Sequence, residues 1–261
     1  MTTGVIDLPF DPILTIGAAA LSWHSLFALT GMIVGALIGI RLGRPFFTFD
    51  QGQSIALTAI VGGLIGSRVI HVVDSWRLYA ADPIQALAVW NGGAAITGGA
   101  IGGVLAGWWA ARRARVPAGR ALDAGSVGLG VGMAIGRIGD IISGEHHATA
   151  CVGLPWCVRY TNAHTLGQTT PVHPAVEYEL LWDLACAAVV LWLLPRADRL
   201  RLDGRLIFVF LGLYGVGRFA LGAVRLDPPW LFGLQQSQLT SLFFVAALVV
   251  AIATRPRGAR T

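Results

Sequence analysis

Long apolar segments recur along the chain, and they limit the possible folds more strongly than any other feature. Only 13% of the 261 residues are charged, whereas a soluble domain usually carries about 25%, and a transmembrane helix needs about 20 mostly apolar residues. The sequence therefore predicts an all-α polytopic membrane protein with seven transmembrane helices. The predicted helices cover residues 20–40, 54–73, 94–111, 121–142, 174–194, 206–223 and 237–254.

The arginines predict how this bundle lies in the membrane. All 19 basic residues are arginine, which excludes a lysine nucleophile or Schiff base. Arginine-rich loops alternate with arginine-poor ones, so the positive-inside rule places the N-terminus outside and the tail, residues 255–261, in the cytoplasm. The net charge of +5 is spread over loops, which indicates topology and not a nucleic-acid partner. The rich segments contain Arg41 and Arg44, then Arg112, Arg113, Arg115 and Arg120, then Arg196, Arg199, Arg201 and Arg205, and finally Arg255, Arg257 and Arg260.

The chain is predicted to form a single domain over residues 1–261. Its largest outside segment, residues 143–173, is too short for a core of its own and is expected to form a small extracytoplasmic cap over the bundle. Cys151 and Cys157 share this segment, and their pairing in an oxidising compartment stays open. The first ten residues contain no basic residue, so no cleavable signal peptide is predicted.

Small residues repeat every four positions in the third and fourth predicted helices. Gly99, Gly103 and Gly107 follow this spacing in the third helix, and Gly128, Gly132 and Gly136 follow it in the fourth. Such stripes allow helix backbones to approach closely. The third and fourth helices are therefore expected to form a tight central pair.

Polar groups are predicted to collect at the outer ends of all seven helices. Arg68, Arg137 and Arg218 lie within apolar helices and not in the basic loops. Ionisable residues at membrane depth are usually functional, and a lipid phosphate is the expected anion because arginine binds phosphate through two parallel hydrogen bonds. The candidate carboxylate partners are Asp140, Glu145 and Glu177, and the other polar residues at this depth are His24, Asn91, Thr97, His173, Tyr214 and Gln238.

Other interpretations of these residues compete with a lipid site. Arginines near helix ends can extend to the interface, and His173 with the following proline can simply begin a helix. The histidines and cysteines near Glu145 match neither of the common zinc spacings, so no metal site is predicted. A small-solute transporter is a weaker alternative, because its site would lie near the bilayer midplane.

Six motifs, in order over residues 20–245, resemble those of the prolipoprotein diacylglyceryl transferase family. The segment from Gly136 to Glu145, GRIGDIISGE, is similar to the family's GRxGNFxNxE. The remaining matching segments are Gly62 to Arg68, Trp90 to Gly93 followed by Gly98 and Gly99, His173 to Glu179, Tyr214 to Phe219 with Arg225 following, and Ser237 to Leu239.

This resemblance implies a bacterial inner-membrane enzyme whose active site faces the outer leaflet. Members transfer the diacylglyceryl group of phosphatidylglycerol to the lipobox cysteine of a prolipoprotein signal peptide, release glycerol-1-phosphate, and need no cofactor. The implied phosphate-binding residues are Arg68, Arg137, Arg218 and Arg225. The predicted catalytic residues are Arg137, Arg218, Tyr214, His24, Asp140 and Glu145, and the predicted supporting residues are Asn91, Thr97, Gly98, Gly99, His173, Glu177 and Gln238.

The sequence departs from the family's pattern where the proton acceptor is expected. It has Thr97 where members often carry a histidine that is proposed as the general base. The other departures are His24 in place of a tyrosine, Asp140 and Ser143 in place of asparagines, and Gly222 in place of a glutamate. A threonine cannot act as a base near neutral pH, so we hypothesise that His24 or Asp140 takes the thiol proton and that Glu145 orients the loop. These departures also leave an alternative, a non-catalytic relative that binds lipid or signal peptides.

Overall fold

The helical part of the prediction agrees closely with a computed structural model of the chain, which describes residues 4–17, 19–88, 93 and 95–254. Each predicted helix has a counterpart, and the largest difference is that the second begins at Phe49 and not at residue 54. A short helix, α3 (Trp76–Tyr79), lies between the second and third. The seven long helices are α1 (Trp23–Gly43), α2 (Phe49–Asp74), α4 (Ile96–Arg113), α5 (Ala118–Ser143), α6 (Ala175–Leu193), α7 (Leu206–Leu221) and α8 (Gln236–Ala253).

Five of these helices are long and apolar enough to cross a bilayer, namely α1, α2, α5, α6 with its short extension to Arg196, and α8. Helix α7 is apolar but has only 16 residues. Many apolar side chains of these helices are exposed, and Leu29, Leu64 and Val249 are each more than half exposed. A helix surface of that kind needs a lipid environment. The chain is therefore a mostly helical, multi-pass membrane protein.

Helix pairing differs from the expected arrangement. The fourth long helix, α5, packs most closely against α1: a Cβ atom added at Gly35 would lie 2.5 Å from the carbonyl oxygen of Gly128, and one at Gly132 would lie 2.6 Å from that of Gly31. Helix α4 packs in the same way against α2. The expectation that α4 and α5 form the tight pair is wrong, because glycine stripes also occur on α1 and α2 and the spacing alone does not identify the partner.

Two of the arginine-rich loops meet at one end of the bundle, and the arginines of the tail lie outside the described residues. Arg120, near the start of α5, pairs with Asp198 and Asp203 in the loop before α7. Asp123 is fully buried and accepts hydrogen bonds from the backbone amides of Gly204 and Leu206, at 2.6 and 2.7 Å. This carboxylate satisfies amide groups that the start of a helix leaves unpaired, so it fixes the first turn of α7.

Short strands surround the opposite end of the bundle. Parallel strands β1 (Val5–Leu8) and β4 (Cys157–Tyr160) join the N-terminal segment to the α5–α6 loop, and Cys151 and Cys157 form a disulfide there. The other strands are β2 (Ile13–Ile16) with β3 (Ala19–Ser22) and β5 (Pro229–Leu231) with β6 (Leu234–Gln235). The all-α prediction missed these strands, because two to four residues are too few for an alternating pattern.

Candidate active site

Arg137 lies in the last two turns of α5 and is buried against carboxylates. Its Nη1 atom is 3.2 Å from Oδ2 of Asp140, one turn further along the helix, and 2.9 Å from Oε2 of Glu179 on α6. Its Nε atom is 3.8 Å from Asp183, one turn beyond Glu179. A buried charge needs such partners because the low-polarity interior does not solvate it.

Glu179 is the centre of this network, with only 2% of its surface exposed. Besides Arg137, its carboxylate lies 3.1 Å from Nη1 of Arg218 on α7 and 3.2 Å from Nη1 of Arg225 in the following loop. Three guanidinium groups from two helices and a loop thus converge on one carboxylate of a third helix. We call Arg137, Arg218 and Arg225, together with Glu179 and their other carboxylate partners, the arginine cluster.

Asp227 closes the cluster on the loop side. Its Oδ2 atom accepts hydrogen bonds from Nε of Arg225 at 2.9 Å and from Nη2 of Arg218 at 3.2 Å. Burial alone would raise the pKa of Asp227, but the hydrogen bonds from Arg225 and the charges of both arginines bring its pKa below the ordinary range. This aspartate therefore stays ionised and holds the 222–228 segment against α7.

A cavity of about 340 Å³ opens beside Arg218. Tyr214 and Arg218 form part of its wall from α7, and Thr97 from α4 forms a hydrogen bond with Thr240 from α8 within its lining. The Tyr214 hydroxyl and the Nε atom of Arg218 are buried and have no hydrogen-bond acceptor among the described residues, whereas Nη1 of Arg218 is held by its ion pair with Glu179. Apolar Trp230 contributes to the rim. The cavity therefore has an apolar mouth, and its wall includes two side chains that each carry a polar group without an acceptor in the described chain.

Arg68, which the sequence groups with the phosphate-binding arginines, contacts the connection between α2 and α4. Its guanidinium donates hydrogen bonds to the backbone carbonyls of Gln85, Ala86, Ala88 and Gly93 and stacks over the Tyr79 ring at 5.4 Å. These contacts fix the connection between α2 and α4. The described contacts of Arg68 are thus made to the backbone, whereas those of Arg137 and Arg218 are made to carboxylates, and a shared anion for the three stays a prediction.

The structure also separates the expected carboxylates. Asp140 contacts Arg137, as expected. Glu145 is exposed two residues beyond α5, and Glu177 is half-buried in the first turn of α6; within the described chain, neither pairs with an arginine of the cluster. Residues 177 and 179 point to opposite sides of a helix because two residues correspond to about 200°.

The remaining predicted site residues cap, precede or pack against helices around the site. Gln235 and Gln238 form a helix-capping box, in which the Gln238 side chain accepts a hydrogen bond from the Gln235 amide and the Gln235 side chain accepts one from the Gln238 amide. These two side chains fill the space beside Gly222. His173 precedes α6, and its amide donates to Thr149. Gly98 and Gly99 pack against α2. Asn91 lies outside the described residues.

Four polar residues of the site were not expected to take part in it, namely His146, Glu179, Asp183 and Asp227. A sequence signal existed for two of them: Glu179 and Asp183 are four residues apart in an apolar helix and therefore share one face. Tyr214 and Arg218 show the same spacing on α7. No comparable signal identified His146 or Asp227, because both lie in loops.

Helix composition and the arginine cluster together define a multi-pass membrane protein with a buried, charge-compensated polar site at one end of its bundle. Comparison with known sequences identifies its family. The profile of the prolipoprotein diacylglyceryl transferase family matches residues 12–254, and the chain belongs to this family. The predicted resemblance and the predicted diacylglyceryl transferase activity are thereby confirmed.

Several curated relatives match over nearly the whole chain. A phosphatidylglycerol–prolipoprotein diacylglyceryl transferase of Clostridioides difficile is 34% identical over 230 residues, covering 88% of both chains. One of Gloeobacter violaceus is 33% identical over 93% of this chain and 91% of the relative. Transferase 1 of Streptomyces coelicolor is 32% identical over 100% of this chain and 77% of the relative.

Proposed function

We propose that the chain transfers the diacylglyceryl group of phosphatidylglycerol to the lipobox cysteine of prolipoproteins. The cysteine sulfur forms a thioether bond to the glycerol carbon, the bond between that carbon and the phosphate oxygen breaks, and glycerol-1-phosphate leaves. One observation of this chain carries the proposal: Tyr214 and Arg218 line one cavity, and the Tyr214 hydroxyl and the Nε atom of Arg218 have no hydrogen-bond acceptor in the described chain. A phosphodiester supplies several acceptor oxygens at that place.

The arginines serve two stages of the reaction. In the ground state, guanidinium groups of Arg218 and Arg137 bind the phosphate, for which their planar forks are well suited. As the carbon–oxygen bond breaks, negative charge grows on the leaving phosphate, and fixed cations lower the energy of that transition state. Arg225 supports both through its contacts with Glu179 and Asp227.

The cavity has room for the polar headgroup and not for the whole lipid. Small-ligand sites are commonly about 300–1,000 Å³, and 340 Å³ lies near the lower limit. The acyl chains would then stay in the bilayer, beside the apolar rim formed by Pro228, Pro229 and Trp230. Thr97 and Thr240 line this cavity, and Gly98 and Gly99, which follow Thr97 in the chain, let α4 approach α2.

We further propose seven membrane crossings in a single domain, with the N-terminus outside, the C-terminus in the cytoplasm and the site facing the outer leaflet of a bacterial inner membrane. Two observations support this orientation. Two arginine-rich loops, joined by Arg120, lie at the end of the bundle opposite the arginine cluster. The Cys151–Cys157 disulfide lies at the cluster end, as expected for an oxidising compartment.

The experiment is transfer of a labelled lipobox peptide in phosphatidylglycerol vesicles, together with rescue of a strain depleted of its own transferase. We expect Arg137→Ala to reduce the initial rate by at least about 10²–10³-fold, the usual effect of losing one transition-state donor. The control is Arg159→Ala, which removes an exposed arginine paired with Asp7. Membrane insertion is checked for both.

Normal transfer by Arg137→Ala would overturn the assignment of the phosphate site. Correct insertion of the unmodified chain without any transfer would favour the alternative of a non-catalytic relative that binds lipid or signal peptides.

A further inference from the structure

Asp140 joins two histidines to the arginine cluster. Its Oδ1 atom lies 2.5 Å from Nδ1 of His24 at the start of α1. Its Oδ2 atom lies 3.2 Å from Nη1 of Arg137 and 3.6 Å from Nε2 of His146. Both carboxylate oxygens therefore have partners, and only 7% of this side chain is exposed.

The contacts determine which ring nitrogens carry protons. Arginine can only donate hydrogen bonds, so Nδ1 of His146, which lies 3.0 Å from Nη2 of Arg225, is an acceptor and a neutral His146 carries its proton on Nε2. An ionised carboxylate can only accept, so the contact with Asp140 places the proton of a neutral His24 on Nδ1. The Nε2 atom of His24 then presents a lone pair.

That lone pair is open to an incoming group. The His24 side chain is 45% exposed, and its Nε2 atom has no hydrogen-bond partner in the described part of the chain. The charged groups around the ring are Asp140, Glu145 and Arg137, and one carboxylate separates it from Arg137 of the phosphate site. A base oriented by a carboxylate on its far nitrogen is the arrangement that activates hydroxyl and thiol nucleophiles in many enzymes.

We propose that His24 is the base that accepts the proton of the substrate thiol, and that His146 is a positioning residue that links Arg225 to Asp140. This proposal rests on the transferase function proposed above. The thiol proton moves to Nε2 of His24, the thiolate attacks the glycerol carbon, and the electron pair of the broken bond leaves with the phosphate. The resulting imidazolium is stabilised by Asp140 and returns its proton to water.

The geometry distinguishes His24 from the other groups considered for this step. Asp140 is buried with both oxygens engaged, so it orients a base and does not meet the thiol itself. Glu145 is exposed beyond the end of α5 and contributes its charge to the surroundings of His24. Thr97 lies in the cavity wall and forms a hydrogen bond with Thr240.

The test is the pH dependence of peptide transfer by the full-length protein in phosphatidylglycerol vesicles. Loss of a general base usually costs about 10²–10⁴-fold, so we expect His24→Ala to lose at least about 100-fold near pH 7. Its residual rate should rise about tenfold per pH unit towards the thiol pKa of about 8.5, because the thiolate then forms without a base. Added imidazole should restore part of the rate, since the site of His24 is half open.

A matched control is His164→Ala, since His164 also contacts an aspartate, Asp11 at 2.9 Å, but lies exposed in the cap. It should keep the wild-type rate and pH profile.

The role of His146 is tested with two variants. We expect His146→Phe to lose most of its kcat at a nearly unchanged KM for lipid. His146→Gln keeps an acceptor and a donor, so it should recover a large part of the kcat.

The outcomes distinguish a failure of the His24 assignment from a failure of the proposed transferase function. If the unmodified chain transfers the lipid and His24→Ala retains its rate and pH profile, the assignment of the base is wrong while the transferase function stands. If the unmodified chain inserts and transfers nothing, the proposed function itself fails. Should His24→Ala fail to insert, the same profile is measured on His24→Gln, which preserves size and polarity but cannot accept the proton.

Discussion

Glu179 should be essential for holding the three arginines together, although no substrate needs to touch it. Its carboxylate accepts three guanidinium contacts, at 2.9, 3.1 and 3.2 Å, and is almost completely buried. Removing one partner of a buried ion pair costs about 3–5 kcal/mol. In Glu179→Gln a carbonyl oxygen remains as an acceptor but the negative charge is lost, so we expect a cost near the lower value, about 3 kcal/mol.

That cost should be visible in both stability and activity. The three positively charged groups then repel one another at close range, and Arg137 and Arg218 move away from the positions that bind phosphate. If about 3 kcal/mol is lost from transition-state stabilisation, the rate falls roughly 100-fold, since each 1.36 kcal/mol is a factor of ten. The assays are initial rates of peptide transfer in vesicles and the apparent melting temperature in detergent.

The matched control lies on the same helix. Glu177→Gln makes the same chemical change two residues earlier, on the opposite side of α6, at a half-buried position. We expect its rate to stay within about threefold of the unmodified chain, as usual for changes that break no buried pair. Equal rates and equal melting temperatures for the two variants would refute the role of Glu179.

Three further predictions concern the scaffold of the site. Gly35→Ala should lower the apparent melting temperature, because its new Cβ atom would lie 2.5 Å from the Gly128 carbonyl oxygen and overpacking costs about 1–3 kcal/mol. The control is Gly125→Ala, whose Cβ atom enters open space, so that variant should be neutral or stabilising. Asp123→Ala should destabilise the chain by about 1–3 kcal/mol, measured by the same melting assay, because it leaves amides at the start of α7 unpaired. Acid should destabilise the arginine cluster through Asp227, whose pKa is lowered in the folded chain. The ionised Asp227 therefore stabilises the fold above its ordinary pKa of about 3.9, and this contribution is lost as the pH falls below that value. In Asp227→Asn, the melting temperature should depend less on pH in this range.

The sequence identifies the helices because each of them is a local pattern. Apolar runs of about 20 residues specify where the helices lie. The polar caps, Ser22 before α1 and Thr48 with Gln51 in the capping box of α2, lie at the ends of these runs, and the predicted starts at residues 20 and 54 miss them. The end of α5 is equally local, since Gly144 adopts the left-handed conformation, with φ 74°, that often terminates a helix.

Contacts between helices are less accessible to this reasoning. Sequence predicted that Arg68, Arg137 and Arg218 lie near the same end of their helices, because depth along a helix follows from residue number. The direction in which each side chain points depends on helix rotation and on the choice of partner, which four similar glycine stripes do not determine. For this reason residue number alone does not separate Arg68, whose described contacts are to the backbone before α4, from the two arginines of the cluster. It likewise does not indicate that Glu179 and not Glu177 meets those arginines.

Helix packing and the chemistry of the site depend on the same glycine-lined contact. Where α1 meets the end of α5, a Cβ atom at Gly139 would lie 2.7 Å from the Cα atom of His24, so only a glycine allows the backbones to approach this closely. That approach brings His24 within 2.5 Å of Asp140, which in turn contacts Arg137. The close pairing of α1 with α5, which the sequence did not predict, is therefore what places the proposed base beside the proposed phosphate site.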